Sequence, residues 1–337
     1  MPPWFQPPQF PLYLAPMAGV TDVVFRGLCK ELGADVMVTE FVSAEGIMQA
    51  DHRTRKYTEF TEAQRPVGVQ LFGADGGRMG EAAKKIVDWK APDFIDINFG
   101  CPVNKVVSRN GGSSLLKDCP LLVSVAEGVV KACAPLGVPV TAKIRIGWDM
   151  QSINAPVVAK MLEEAGIAAI AVHGRTRSQG YTGEADWQVI DSVARAVRIP
   201  VVGNGDVTSA ADVMRRRAET AVAGVMIGRA AMRHPWIFRE AKQRLEGGAE
   251  PASVSLEEKW ALILRHTREA LAGTRYGSER QTMQFMRTRY MAYSHGLPFG
   301  KRLRARFSTV QTMAELEEVA ADSLAGRIAG EAFAAVD

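Results

Sequence analysis

In the segment Asp96-Ile97-Asn98-Phe99-Gly100-Cys101-Pro102, a strand-like apolar run breaks at a glycine and presents a thiol beside an amide side chain. Val103-Asn104-Lys105 follow at once, and Lys105 is the nearest cation in sequence. A cysteine so placed has two chemical roles open to it. As a nucleophile it needs a base or cation that favours the thiolate, and no histidine lies close in sequence. As a protonated thiol it serves as a general acid. A purely structural thiol is the bland alternative. Metal ligation is disfavoured: Cys29, Cys119 and Cys133 lie in helical patterns and read as small apolar core residues, and no C-x-x-C occurs.

Seven other apolar runs also end in polar residues or glycine. The run 12–15 leads into Pro16-Met17-Ala18-Gly19, the run 36–39 into Glu40, and the run 67–71 carries Gln70. The run 140–144 carries Lys143 and leads to Arg145, and the run 169–172 leads to His173 and Arg175. The last two, 201–203 and 224–227, lead to Asn204-Gly205-Asp206 and Gly228-Arg229. Lys143 and Arg145, two apart on a strand, share a face. Two cations on an inner face call for an anionic partner, such as a flavin that becomes anionic on reduction. Gln70 and His173 are placed to hydrogen-bond such a ring, and Met17 suits its face or edge. Glycines and Arg229 after the last two runs suit a phosphate.

The elements that must hold these groups follow from periodicity. Eight short apolar runs alternate with amphipathic segments at 79–89, 121–132, 155–165, 187–197 and 210–217, which predicts a parallel sheet covered by helices. Eight such units in about 240 residues predict an α/β fold, a (β/α)8 TIM barrel, whose strand ends carry the chemistry. No G-x-G-x-x-G opens the first unit, which disfavours a Rossmann reading. After the linker Gly247-Gly248-Ala249-Glu250-Pro251 the pattern is helical to the end, and Ser255-Leu256-Glu257-Glu258 predicts a capping box. We therefore expect a catalytic barrel over residues 1–246 and an all-helical domain over 252–337.

Of the 337 residues, 47% are hydrophobic and 23% charged, and the net charge is +4. Residues 259–306 hold eleven Lys or Arg against Glu269 and Glu279, an excess of nine, the expected footprint of a nucleic-acid surface. The start, Met1-Pro2-Pro3-Trp4, lacks the pattern of a signal peptide, and no apolar run of bilayer length is expected. Four cysteines are too few for a disulfide framework, so the cytoplasm is the expected compartment.

Several of these stretches occur together in a known family. Leu14-Ala15-Pro16-Met17-Ala18-Gly19-Val20-Thr21-Asp22, Asn98 through Pro102 with Gly112-Ser113-Ser114-Leu115-Leu116, His173-Gly174-Arg175-Thr176-Arg177, and Asn204-Gly205-Asp206 resemble the tRNA-dihydrouridine synthases, the bacterial B-type subgroup above all. The resemblance covers residues 12–245 and continues more loosely through the C-terminal helices. It implies an FMN-bound barrel that reduces uridine in tRNA to 5,6-dihydrouridine with NADPH (or NADH). Pro16, Met17, Ala18, Gln70, Lys143 and His173 would hold the isoalloxazine. Asn204, Gly205, Asp206, Gly228 and Arg229 would hold the ribityl phosphate. Cys101 would protonate carbon 5 of the uracil, with Asn98 and Arg145 contacting the base. One departure stands at Thr288-Arg289, where family members often carry a basic–histidine pair. The expected partner is tRNA, bound by a monomer without a metal or a membrane. Two other readings compete: a flavin enzyme acting on a free pyrimidine, and an RNA-binding regulator that keeps the site as scaffold.

Overall fold

In the computed structural model, which describes residues 2–6, 8–49, 52–101, 111–273 and 275–330, all eight apolar runs are strands with parallel neighbours. They are β1 (Leu12–Leu14), β2 (Val36–Val38), β4 (Val67–Phe72), β5 (Phe94–Phe99), β6 (Val140–Arg145), β7 (Ala169–His173), β8 (Val201–Asn204) and β9 (Gly224–Ile227), with a two-residue addition, β3 (Val42–Ser43). β2 pairs with the first half of β4 through Met37 and Val67, and β3 pairs with its second half through Val42 and Leu71. β2 and β3 thus form one stave interrupted at Thr39-Glu40-Phe41. The β2–β4 pairing closes the sheet into a barrel of eight staves, the fold expected from the sequence.

Side chains alternate across this wall, as a period of two requires. Leu12, Leu14, Val69, Ile95, Ile97, Ile144 and Val172 point outward into the helix-covered core. Tyr13, Val36, Val38, Phe94, Ala171, Val202 and Met226 fill the interior together with Phe5. The covering helices are α1 (Val23–Glu31), α2 (Ala44–Met48), α3 (His52–Lys56), α4 (Gly76–Lys90), α5 (Cys119–Cys133), α6 (Ala155–Glu164), α7 (Trp187–Ala196), α8 (Ala210–Glu219), α9 (Arg229–Arg233) and α10 (Ile237–Leu245). α4 and α5 meet backbone to backbone: a Cβ on Gly128 would lie 2.4 Å from the Gly76 carbonyl oxygen. One sequence expectation needs correcting here. Residues Cys119–Leu136 average a hydropathy of 1.5 over 18 residues, long and apolar enough to cross a bilayer. The reason is that α5 buries Leu122, Val125, Ala126 and Val129 against the barrel and so carries a broad apolar face.

Beyond the barrel lie α11 (Leu256–Ala272), α12 (Glu279–Tyr293), α13 (Gly300–Thr309) and α14 (Met313–Leu324), packed around Trp260, Met283, Met286, Tyr290, Leu303, Phe307 and Leu316. They dock on α1, where His266 stacks on Phe25 at 5.6 Å. The expected capping box forms only by half. Ser255 Oγ accepts the Glu258 N–H at 3.1 Å, while the Glu258 carboxylate accepts from Trp236 Nε1 and Arg239 Nη1, each at 2.7 Å. Two side-chain donors, one of them a cation, outcompete the backbone N–H.

Candidate active site

The staves end in a cleft of about 980 Å³, walled on one side by the barrel mouth and on the other by α12 and α13. Pro16, Met17, Ala18, Asn98, Cys101, Lys143, Arg145, His173, Asn204, Gly205, Asp206, Gly228 and Arg229 all line it. Gln70 does not: its Nε2 donates to Asp96 Oδ2 at 2.6 Å and its Oε1 accepts from Asn98 Nδ2 at 2.8 Å. Pro102, Asn104 and Lys105 lie outside the described residues.

Cys101 is 5% exposed and is fixed from both sides. Asn98 Oδ1 accepts the N–H groups of Gly100 at 3.0 Å and Cys101 at 2.8 Å, an Asx-type turn that ends β5. The Cys101 carbonyl accepts from Ser113 Oγ at 2.8 Å. Asn98 itself is anchored through Gln70 to Asp96, whose Oδ1 accepts from Thr141 Oγ1 at 2.5 Å. Every member of this chain of bonds is buried on the inner face. Burial pushes the Asp96 carboxyl up, against the hydrogen bonds from Thr141 and Gln70 and the charge of Lys143.

The two cations expected to share an anion divide the work instead. Arg145 is met by carbonyl oxygens of Gly100, Thr176 and Gly180, each at 2.9 Å, so peptide dipoles replace the anion called for there. It ties the β5 and β7 loops together. Lys143 has no hydrogen-bond partner among the described residues. Burial and the neighbouring Arg145 pull its ammonium down to about 8, against the attraction of Asp96 and Cys101. His173 is held neutral, far below its ordinary range, by burial and then by Lys143, Arg145, Arg175 and Arg229.

At the β8 and β9 ends, the Asp206 carboxylate accepts from Arg175 Nη2 at 2.7 Å, Arg229 Nη2 at 3.2 Å and the Ala185 N–H at 2.8 Å. Its side chain therefore braces the loop. Asn204 Nδ2 donates to the Met226 carbonyl at 2.7 Å and ties β8 to β9. Gly205 has φ +130, and a Cβ there would lie 2.5 Å from Ala185 Cβ and 3.3 Å from the His173 ring. Gly228 is not so constrained, since a Cβ would meet nothing closer than 3.5 Å.

The chain matches the family described as dihydrouridine synthase over residues 13–328. The chain belongs to the dihydrouridine synthase family. It is 40% identical over 300 residues to tRNA-dihydrouridine synthase B of Pseudomonas aeruginosa, covering 89% of this chain and 88% of that protein. Against tRNA-dihydrouridine synthase B of Pseudomonas putida the identity is 41% over 311 residues, covering 92% and 90%. Against that of Xanthomonas campestris it is 44% over 239 residues, covering 70% of each.

The cleft of this dihydrouridine synthase family member also uses residues that the strand-end pattern does not reveal. Tyr181, 61% exposed, lies in the β7–α7 loop with the Arg229 guanidinium 4.8 Å from its ring. Arg233, His295 and Arg304 line the far end. Of the eleven cations in residues 259–306, by contrast, five meet carboxylates within the protein. Arg265 pairs with Glu31 and Glu269, Arg268 with Glu317, and Arg306 with Asp322. Arg275 pairs with Glu40, and Arg289, at the departure from the family pattern, is buried against Asp22 at 3.2 Å. Glu40, expected at a strand end, thus serves the contact between barrel and helices.

Proposed function

We propose that this protein is an FMN-dependent tRNA-dihydrouridine synthase that reduces uridines in tRNA at the expense of NADPH or NADH. The reading is carried by one observation: Cys101 opens into a cleft lined, among the described residues, by Lys143, Arg145, Arg229, Arg233 and Arg304 against one carboxylate, Asp206. Such a field draws in anions, and an RNA brings one per nucleotide. The names of the relatives, tRNA-dihydrouridine synthase B, support the same substrate.

The residues present fit FMN. Pro16, Met17 and Ala18 give an apolar edge, Lys143 an ammonium without a protein partner among the described residues, and His173 a neutral imidazole. Gly205, at φ +130 and with a Cβ excluded by Ala185, presents bare backbone to the cleft. The backbone at Gly205, Asp206, Gly228 and Arg229 would take the phosphate, with the Asp206 carboxylate kept back by Arg175. Bound FMN, reduced by the nicotinamide dinucleotide, supplies hydride for carbon 6 of the uracil.

The protein's own contribution is placement and a proton. A uracil inside folded RNA cannot reach a recessed ring, so the target base must turn out of its stack into the cleft. Arg145, locked by three carbonyls, and Asn98, locked by Gln70, present donors that do not need to reorganise when the base arrives. The Cys101 thiol gives its proton to carbon 5, so the C5=C6 double bond is consumed by one hydride and one proton. The resulting thiolate stands within electrostatic reach of Lys143 and Arg145, which favours it until a proton returns.

The test is to incubate unmodified tRNA transcript with the FMN-loaded protein and NADPH and to digest the RNA for mass analysis. Dihydrouridine in the tRNA is the expected result. Turnover of free uracil or dihydroorotate with no change in tRNA would replace this reading with that of a free-pyrimidine enzyme. Tight tRNA binding with no product would make the protein an RNA-binding regulator.

A further inference from the structure

Glu40 stands where the β2–β3 stave is interrupted, and its side chain is 1% exposed. One carboxylate oxygen accepts the Gly19 N–H at 2.5 Å, and the other accepts from Arg275, in the segment joining α11 to α12. Arg275 lies over the Tyr57 ring at 4.7 Å and the Tyr276 ring at 5.5 Å, and is itself 17% exposed. Close by, Asp22 caps α1 through the Phe25 N–H and takes hydrogen bonds from the Tyr276 hydroxyl and Arg289. Between the two acids runs the β1–α1 loop, whose Met17, Ala18 and Pro16 edge the cleft.

The loop is tied internally where the buried Thr21 hydroxyl accepts the Met17 N–H at 3.0 Å, but its tip at Gly19 has no side-chain packing. Gly19 has φ +69, and nothing lies within 4 Å of where a Cβ would stand. A position with open space around it is held by hydrogen bonds, and among the described residues the Gly19 N–H has one acceptor, Glu40. That carboxylate is tolerable in the interior only while its charge is matched, because a buried charge that loses its partner is strongly destabilised. Arg26 of α1 is within electrostatic reach of Glu40, but the cation bonded to the carboxylate, Arg275, comes from outside the barrel. Without it, Glu40 gains most by turning toward water, and the Gly19 N–H is released.

We infer that Arg275 is a positioning residue of the cofactor site: through Glu40 and Gly19 it fixes the Pro16-Met17-Ala18 edge, so the C-terminal helices shape the flavin pocket. The inference rests on the flavin reading given above. It also separates two contacts that look equivalent. Arg265 joins α11 to Glu31 on the same face of the barrel, but that pair is half-exposed and lies at the far end of α1 from the loop. It fastens the helices without touching the loop.

The experiment uses the full chain and two readouts. One is the FMN dissociation constant from flavin fluorescence, and the other is amide hydrogen exchange at Gly19 in flavin-free protein. Arg275→Met should weaken FMN roughly tenfold, about 1.4 kcal/mol, and speed Gly19 exchange. The double variant Arg275→Met/Glu40→Gln, which removes the orphaned charge and keeps an acceptor for Gly19, should recover most of both. Arg265→Met should change neither. FMN affinity within about twofold of wild type in Arg275→Met, with unchanged Gly19 exchange, overturns the proposal, as does an equal loss in Arg265→Met. Should Arg275→Met not fold, Arg275→Lys shortens the reach and loses the planar fork. Weaker FMN and faster exchange then support the link, and no change in either overturns it. Wild-type protein that does not bind FMN at all would instead sink the flavin reading, while Gly19 exchange still decides whether Arg275 holds the loop.

Discussion

At the barrel mouth Lys143 lies half-buried beside Arg145 with no acid bonded to it among the described residues, whereas Arg265, Arg268 and Arg306 in the C-terminal helices each meet a carboxylate at 2.6–2.7 Å. By count the helices are the more basic region, with an excess of nine. By what their cations lack, the mouth is. A solvated arginine paired with glutamate contributes little to stability and little to an outside field. A half-buried ammonium that has lost part of its water and is bonded to no carboxylate keeps that cost until a ligand arrives. The comparison teaches that anion sites are found by asking which cations are left unmatched, and Arg233 and Arg304 at the cleft's far end extend the same reasoning to the RNA.

The largest effect expected is at Cys101. Cys101→Ala should lower dihydrouridine formation by on the order of 10²–10⁴, the usual worth of a positioned proton donor, while FMN stays bound. Product analysis alongside flavin absorbance checks both halves. Next comes Lys143→Met. Hydrogen bonds to charged groups are worth about 1.5–3 kcal/mol, so FMN affinity should fall roughly tenfold to a hundredfold. Because the Lys143 ammonium is pulled down to about 8, wild-type FMN affinity should decline as pH rises above about 8, and Lys143→Met should lack that decline. Titrations across pH decide it.

A smaller effect tests the two regions against each other. Arg304→Ala should weaken tRNA binding and reduce the slope of log affinity against log salt by about 1. Arg268→Ala, which removes a paired arginine, should leave the slope unchanged. Equal losses in the two variants would erase the distinction between matched and unmatched cations.

A last prediction concerns the contact between barrel and helices. Burial holds His266 down to about 4, against an ordinary value of 6.5. The unfolded chain therefore takes up this proton first as pH falls, so stability is complete above about 6.5 and is lost between about 6.5 and about 4. The loss is on the order of 3 kcal/mol at the acid end. His266→Phe should flatten part of the slope in urea melts over that window. His173, also held neutral by burial, gives the remainder the same sign.

The barrel was legible because its signal is local: eight apolar runs at regular spacing cannot be arranged in many ways. Most of the mouth was legible too, since a strand end marks its position whatever its residue. What escaped were groups whose roles depend on partners far away in sequence. Gln70 looked like a ring contact, yet with Asp96 it forms a single buried relay to Asn98. Glu40 looked like a mouth residue until Arg275, 235 positions later, was seen beside it. Tyr181 sits in a loop whose course no periodicity foretells. Part of the charge excess of residues 259–306 was hidden for the same reason: Arg265, Arg275 and Arg289 meet Glu31, Glu40 and Asp22, which lie in the first stretch of the chain.

The most direct test of the account is an anaerobic single turnover with flavin-loaded protein reduced by NADPH and then mixed with unmodified tRNA. The wild-type protein should return its flavin to the oxidised form as dihydrouridine appears in the RNA, one for each flavin oxidised. Cys101→Ala should accept electrons from NADPH at the wild-type rate and then stall with the RNA unchanged. Cys101→Ala that reoxidises as fast as wild type and yields the same dihydrouridine would contradict the role of Cys101, and wild-type flavin that stays reduced in the presence of tRNA would contradict the function itself.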